Sequence, residues 1–297
     1  MRNIRPPIFK GCATALATPF SDGKIDFVAF KRMIERQIEG GVSALVICGT
    51  TGEASTMSID EHLSCIDFAL SIANNRVPII AGSGSNCTKK AVHLSKEASK
   101  LGCDALLVVT PYYNKASDEG LVSHFTSIAD ESECPIMLYN VPSRTGVSIP
   151  LNVYEKLSDH DNIIGVKEAS GNIASISKLI SSVGDKLQVY SGNDDQILPI
   201  LSIGGLGVVS VISNIVPDVT QKICDYYFSN DTKSAQKLQI ELNPLINALF
   251  CEVNPIPLKY ALERLKVCSG ELRLPLCEAS EKVKEQIDLA LSGLGLI

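Results

Sequence analysis

One lysine of this chain ends an apolar run. Lys167 follows Ile163-Ile164-Gly165-Val166 directly. An ammonium buried among such residues is costly, which favours the neutral amine. A desolvated amine is a nucleophile toward a ketone carbonyl and forms an imine with it. The competing reading is a structural ion pair with Glu168 or another acid. Lys259, in the run Pro255-Ile256-Pro257-Leu258-Lys259, also has apolar neighbours, but it falls in a stretch with helical spacing. The chain has 19 lysines, so it is the place at a strand end that singles out Lys167.

Imine chemistry needs a proton carrier and a grip on its substrate. Tyr139 ends the apolar run before that of Lys167 and could reach the amine; the plainer reading is a core or rim tyrosine. The hydroxyls of Thr51 and Tyr113 could extend it into a chain of hydrogen bonds. Thr50 and Thr51, set between Gly49 and Gly52, offer backbone N–H groups to a carboxylate; a plain turn is the alternative. Arg144, one of eight arginines, follows a proline turn where its fork could hold a carboxylate, or could make a surface ion pair.

These residues need strands to place them. Eight short apolar runs read as strands: 12–20, 44–49, 77–82, 104–110, 135–140, 163–168, 187–192 and 206–211. They show little alternation, as strands buried on both faces do. Segments with helical spacing lie between them, among them 30–41, 59–73, 88–102 and about 120–129. Eight such units predict an α/β fold, a closed (β/α)8 barrel, whose active site gathers at the C-terminal strand ends. The strand pattern stops near residue 225. Residues 233–250, 257–266 and 278–292 look helical. The expected division is a catalytic barrel over residues 1–230 and a C-terminal helical region over 231–297.

Composition narrows the partners. A formal net charge of −6 over 297 residues argues against nucleic acid, which selects a basic face. The N-terminus carries no apolar core of signal-peptide length. The long uncharged stretch Ile197 to Val216 is broken by Pro199, Asn214 and glycines, so no membrane span is expected. Ten cysteines without a CxxC pair, and four histidines, give no metal pattern and suit a reducing cytoplasm. Gly82-Ser83-Gly84-Ser85-Asn86 and Gly204-Gly205-Leu206-Gly207 fit neither a dinucleotide nor a Walker loop, and read as tight turns.

Gly49-Thr50-Thr51-Gly52-Glu53, Thr110-Pro111-Tyr112-Tyr113-Asn114, the stretch from Tyr139 to Gly146 and the stretch from Gly165 to Gly171 together resemble the dihydrodipicolinate synthase family. The likeness continues through Asn254-Pro255-Ile256-Pro257 and residues 272–276. It implies condensation of pyruvate with L-aspartate-4-semialdehyde on the diaminopimelate route to lysine, without metal or organic cofactor, in a homotetramer. By that resemblance Lys167 forms the imine. Tyr139, Thr51 and Tyr113 relay protons, with Tyr113 supplied by an adjoining subunit. Thr50 and Thr51 hold the pyruvate carboxylate, and Arg144 orders that of the semialdehyde. Gly192 and Val209 line the pocket, Val209 standing where isoleucine is common. Leu206 stands where some relatives have histidine. Sister enzymes, such as N-acetylneuraminate lyase and keto-deoxy sugar acid aldolases, share the lysine and the tyrosine. Arg144 and the Thr50-Thr51 pair separate them from this chain, since the lyases tend to carry Ser-Thr and generally lack the arginine.

Overall fold

A computed structural model describes residues 6–297. Eight parallel strands close into a barrel. They are β1 (Gly11–Ala15), β2 (Ala44–Ile47), β3 (Ile79–Gly82), β4 (Ala105–Val109), β5 (Ile136–Asn140), β6 (Ile163–Glu168), β7 (Gln188–Ser191) and β8 (Gly207–Ser210). Each pairs with its neighbours in sequence order, and β1 closes the ring against both β8 and β2.

The near-absence of alternation in the strands has a direct cause. Ala13, Ala15, Ala44, Val46, Ala105, Leu107, Met137 and Val209 form one buried cluster inside the barrel. The residues between them, such as Cys12, Leu45, Leu106, Leu138 and Val208, belong to a second cluster under the helices. Both faces are therefore dry. Small alanines inside leave room where the strands converge.

The helices are α1 (Phe27–Glu39), α2 (Ile59–Ala73), α3 (Thr88–Lys100), α4 (Asp118–Asp130), α5 (Pro142–Thr145), α6 (Leu151–Leu157), α7 (Ile173–Val183), α8 (Ile197–Ser202) and α9 (Pro217–Phe228). Three more follow: α10 (Thr232–Leu249), α11 (Ile256–Arg264) and α12 (Glu281–Gly293). Local chemistry sets their starts. Asp26 accepts from the Val28 and Ala29 amides at the head of α1, and Ser58 and Glu61 cap α2 reciprocally. No helix among the described residues is long and apolar enough to cross a membrane.

The first expected strand proves too long. Pro19 cannot donate to a ladder, and β1 stops at Ala15. Phe20–Ser21 and Lys24–Ile25 instead form an antiparallel hairpin. Its turn, Asp22-Gly23, has φ of 53° and 74°, the left-handed pair that an Asp-Gly dipeptide favours. The helical segment expected from residue 30 starts three residues earlier, because Asp26 caps it.

One helix gives the fold a specific acid sensitivity. His124 on α4 is 4% exposed; its Nδ1 lies 2.9 Å from Thr88 Oγ1, and its Nε2 has no partner. Burial pushes its pKa down to about 4. The unfolded chain takes up this proton near pH 6.5 and the folded chain only near 4. The contribution of neutral His124 is therefore complete above about 6.5 and lost as pH falls toward 4. The shift corresponds to about 3 kcal/mol across that window. Urea midpoints should fall over it in the wild type, and His124→Gln should flatten that part of the curve; parallel curves would refute the assignment.

Candidate active site

The strand register brings Lys167 and Tyr139 side by side, paired across β5 and β6, with Tyr190 of β7 on the other flank of Lys167. Both Lys167 and Tyr139 are 6% exposed. The Lys167 Nζ lies 4.2 Å from the centre of the Tyr139 ring.

Glu168 does not pair with Lys167. Adjacent residues of a strand face opposite sides, and Glu168 is held outside the barrel lumen by three partners. Asn140 Nδ2 donates to both of its oxygens at 3.0 Å, Tyr154 OH donates to Oε2 at 3.0 Å, and the Ser170 amide to Oε1 at 2.8 Å. The ion-pair reading of Lys167 with its neighbour therefore falls. Asp194, buried after β7, feels the Lys167 charge: burial pushes its carboxyl upward in pKa, and Lys167 opposes that shift. Its Oδ2 accepts from the amides of Val211 and Ile212 at 2.9 and 3.0 Å, fixing the loop after β8.

Thr51 is buried in the turn after β2, with Thr50 half-buried beside it. Its Oγ1 accepts from Asn254 Nδ2 at 3.0 Å; among the described residues no hydrogen bond joins it to Tyr139. The turn is braced from behind. Glu53, in the left-handed region at φ 56°, sends its carboxylate into a closed pocket against Lys259 of α11, Oε1 to Nζ 3.2 Å. Both side chains are fully buried. Lys259 also donates to the Glu271 carbonyl at 2.7 Å, and the Arg273 amide donates to Glu53 Oε2 at 3.1 Å. Burial lowers the pKa of Lys259, and the Glu53 charge opposes that shift.

Arg144 lies in α5, exposed, and its Nη2 donates to the Asn254 carbonyl at 3.1 Å. Gly192 follows β7, and its amide donates to the Glu168 carbonyl at 2.7 Å. A Cβ there would sit 2.6 Å from the Ala169 Cβ, so the close approach admits only glycine. Val209 is buried on β8, in register with Ala13 inside the barrel.

Tyr113 does not join the others within one chain. It is 90% exposed on the loop after β4, with φ of 73°. The sequence gives no role to Asn254 or Asp194, and offers Glu168 only as an ion-pair partner of Lys167. Asn254 had a signal, its position ahead of two prolines in a motif shared with the resembling family; Asp194 had none beyond lying at a strand end.

A closed (β/α)8 barrel with a buried amine and a phenol paired at its strand ends defines the class: a barrel enzyme of the lyase type. The chain belongs to the dihydrodipicolinate synthetase family, whose profile matches residues 8–294. It is 48% identical over 290 residues to the "4-hydroxy-tetrahydrodipicolinate synthase 1" of Clostridium acetobutylicum, covering 98% of this chain and 99% of that one. A solved dihydrodipicolinate synthase of Acinetobacter baumannii, described as chloride inhibited and complexed with pyruvate, superposes with TM-score 0.95 at 40% identity, covering 97% and 99% of the two chains. A monomeric dihydrodipicolinate synthase variant superposes with TM-score 0.96 at 40% identity, covering 98% of each.

Proposed function

We propose that this enzyme condenses pyruvate with L-aspartate-4-semialdehyde to 4-hydroxy-tetrahydrodipicolinate through an imine at Lys167. The observation that carries the reading is the buried Lys167 amine facing Tyr139 at adjacent strand ends, free of Glu168.

The Lys167 amine attacks the ketone carbon of pyruvate, and loss of water gives the imine. The imine draws electrons from the methyl group, a proton leaves, and the enamine carbon attacks the aldehyde. The amine of the product then displaces Lys167 as the ring closes, so the lysine itself supplies the activation and no cofactor is required. Tyr139 and Thr51 carry the protons. The Thr50 and Thr51 turn binds the pyruvate carboxylate, the Arg144 fork binds that of the semialdehyde, and Gly192 and Val209 shape the pocket wall. Initial rates with pyruvate and aspartate semialdehyde, set beside pyruvate and N-acetylmannosamine, test the assignment. Turnover of the second pair alone would transfer the chain to the sister lyases.

Tyr113 completes the relay of a second copy in a homotetramer. An exposed tyrosine held at positive φ carries backbone strain, which is retained where function uses it. Tyr113→Phe and Lys167→Ala subunits, each inactive alone, should regain activity when mixed and exchanged, since a hybrid interface assembles one intact site. Absence of recovery after confirmed exchange would place each site within a single chain. The ten cysteines, none of them disulfide-bonded, fit a cytoplasmic setting.

A further inference from the structure

Asn254 sits in the turn between α10 and α11, buried, where the C-terminal region reaches the strand ends. Three observations meet on it. Its Nδ2 donates to Thr51 Oγ1 at 3.0 Å. Its backbone carbonyl accepts from Arg144 at 3.1 Å. Its Oδ1 is buried without a partner. An amide kept buried with one end unsatisfied costs stability, so a retained one calls for a use.

We propose that Asn254 is a positioning residue for proton transfer, acting on Thr51 by occupying one lone pair of its hydroxyl. The inference rests on Thr51 being a member of the relay. A hydroxyl has one proton to give and two lone pairs to accept with. With the Asn254 amide on one lone pair, Thr51 keeps one acceptor site and one proton, a single way in and a single way out. That is the valence a proton relay needs. Remove the amide, and water can take either role at Thr51, so the direction of transfer is no longer fixed. The link to Arg144 runs through the backbone carbonyl and survives substitution of the side chain. A side-chain variant therefore separates proton transfer from grip on the semialdehyde carboxylate.

The test uses the full-length enzyme and steady-state kinetics. Asn254→Ala should lower kcat by about tenfold, the worth of one such hydrogen bond, and leave the KM values nearly unchanged. Asn254→Asp has the same shape but accepts where the amide donated, so it draws the only proton of Thr51 away from the relay. Its kcat should fall further. Its rate relative to wild type should recover as pH is lowered, because a protonated Asp donates again. In a Thr51→Val background, Asn254→Ala should add no further loss. Additive losses in that background, a flat pH ratio for Asn254→Asp, or an effect confined to KM would each overturn the proposal. If the Ala variant fails to fold, the isosteric Asp variant and its pH ratio decide alone. Borohydride trapping of pyruvate on the wild type keeps the two readings apart. A wild type that traps nothing at Lys167 overturns the imine assignment itself. One that traps, with additive losses, overturns only the role of Asn254.

Discussion

Reduced with borohydride in the presence of pyruvate, the enzyme should carry one reduced adduct at Lys167 and none at its other eighteen lysines, of nineteen in all. Lys167→Ala should abolish trapping and lower kcat/KM by on the order of 10³- to 10⁶-fold, as removal of a covalent nucleophile does. Lys167→Arg should do no better, since a guanidinium does not lose its proton. The fold should not suffer. Glu168 does not depend on Lys167 for its charge balance, because it is bound by Asn140, Tyr154 and Ser170; Asp194 feels the Lys167 charge, but it keeps two backbone amides without it and burial already pushes its carboxyl upward in pKa. Lys167→Met should therefore keep or raise the urea midpoint while the reaction stops, the usual relation between a costly buried group and activity. An adduct mapped elsewhere, or a Lys167→Met variant that unfolds, would remove the basis for both statements.

Lys259→Met should do the reverse. Its Nζ is the charge partner of Glu53, and both side chains are closed off from water. Without the ammonium, the Glu53 carboxylate remains buried and uncompensated, which costs about 3–5 kcal/mol. Urea denaturation should show a loss of that size. The double variant Glu53→Gln/Lys259→Met should recover a large part of it, because no lone charge is left. A single variant within about 0.5 kcal/mol of wild type, the range of ordinary surface changes, would mean that water already reaches the pair.

These two lysines also show what could be read from the chain. Lys167 was legible because its burial is local: four residues of one buried strand precede it. The barrel was legible for the same reason, since each strand announces its burial on both faces within four to six residues. Lys259 looked like an apolar helix position and nothing more. What makes it structural is an acid from another part of the chain, and no window of neighbours contains that acid. The bond from Asn254 to Thr51 is hidden in the same way, although the Asn-Pro-Ile-Pro motif marks the position. The Asp22-Gly23 hairpin was missed although its dipeptide is a local signal, because the preceding run was read through Pro19 as one long strand. Tyr113 is different again. It is 90% exposed at φ 73°, and only the family resemblance gave it a role across a subunit interface.

The bonds that hold the Thr51 turn have a consequence for how the molecule comes into being. The contact between Asn254 and Thr51 spans 203 residues, and that between Arg273 and Glu53 spans 220. Contacts so distant in sequence close late, after the loops between them have given up their entropy. On the ribosome all eight strands emerge before Asn254, Lys259 and Arg273 do. Residues 211–273 follow the last strand and take several seconds at about 5–20 residues per second. During that interval a nascent barrel carries Lys167 and Tyr139 with an unbraced Thr50-Thr51 turn, and Glu53 has a charge with nowhere dry to go. Maturation of the site is thus timed by the tail of the chain. A ribosome-stalled chain ending before residue 254 is a scaffold that has yet to become a catalyst.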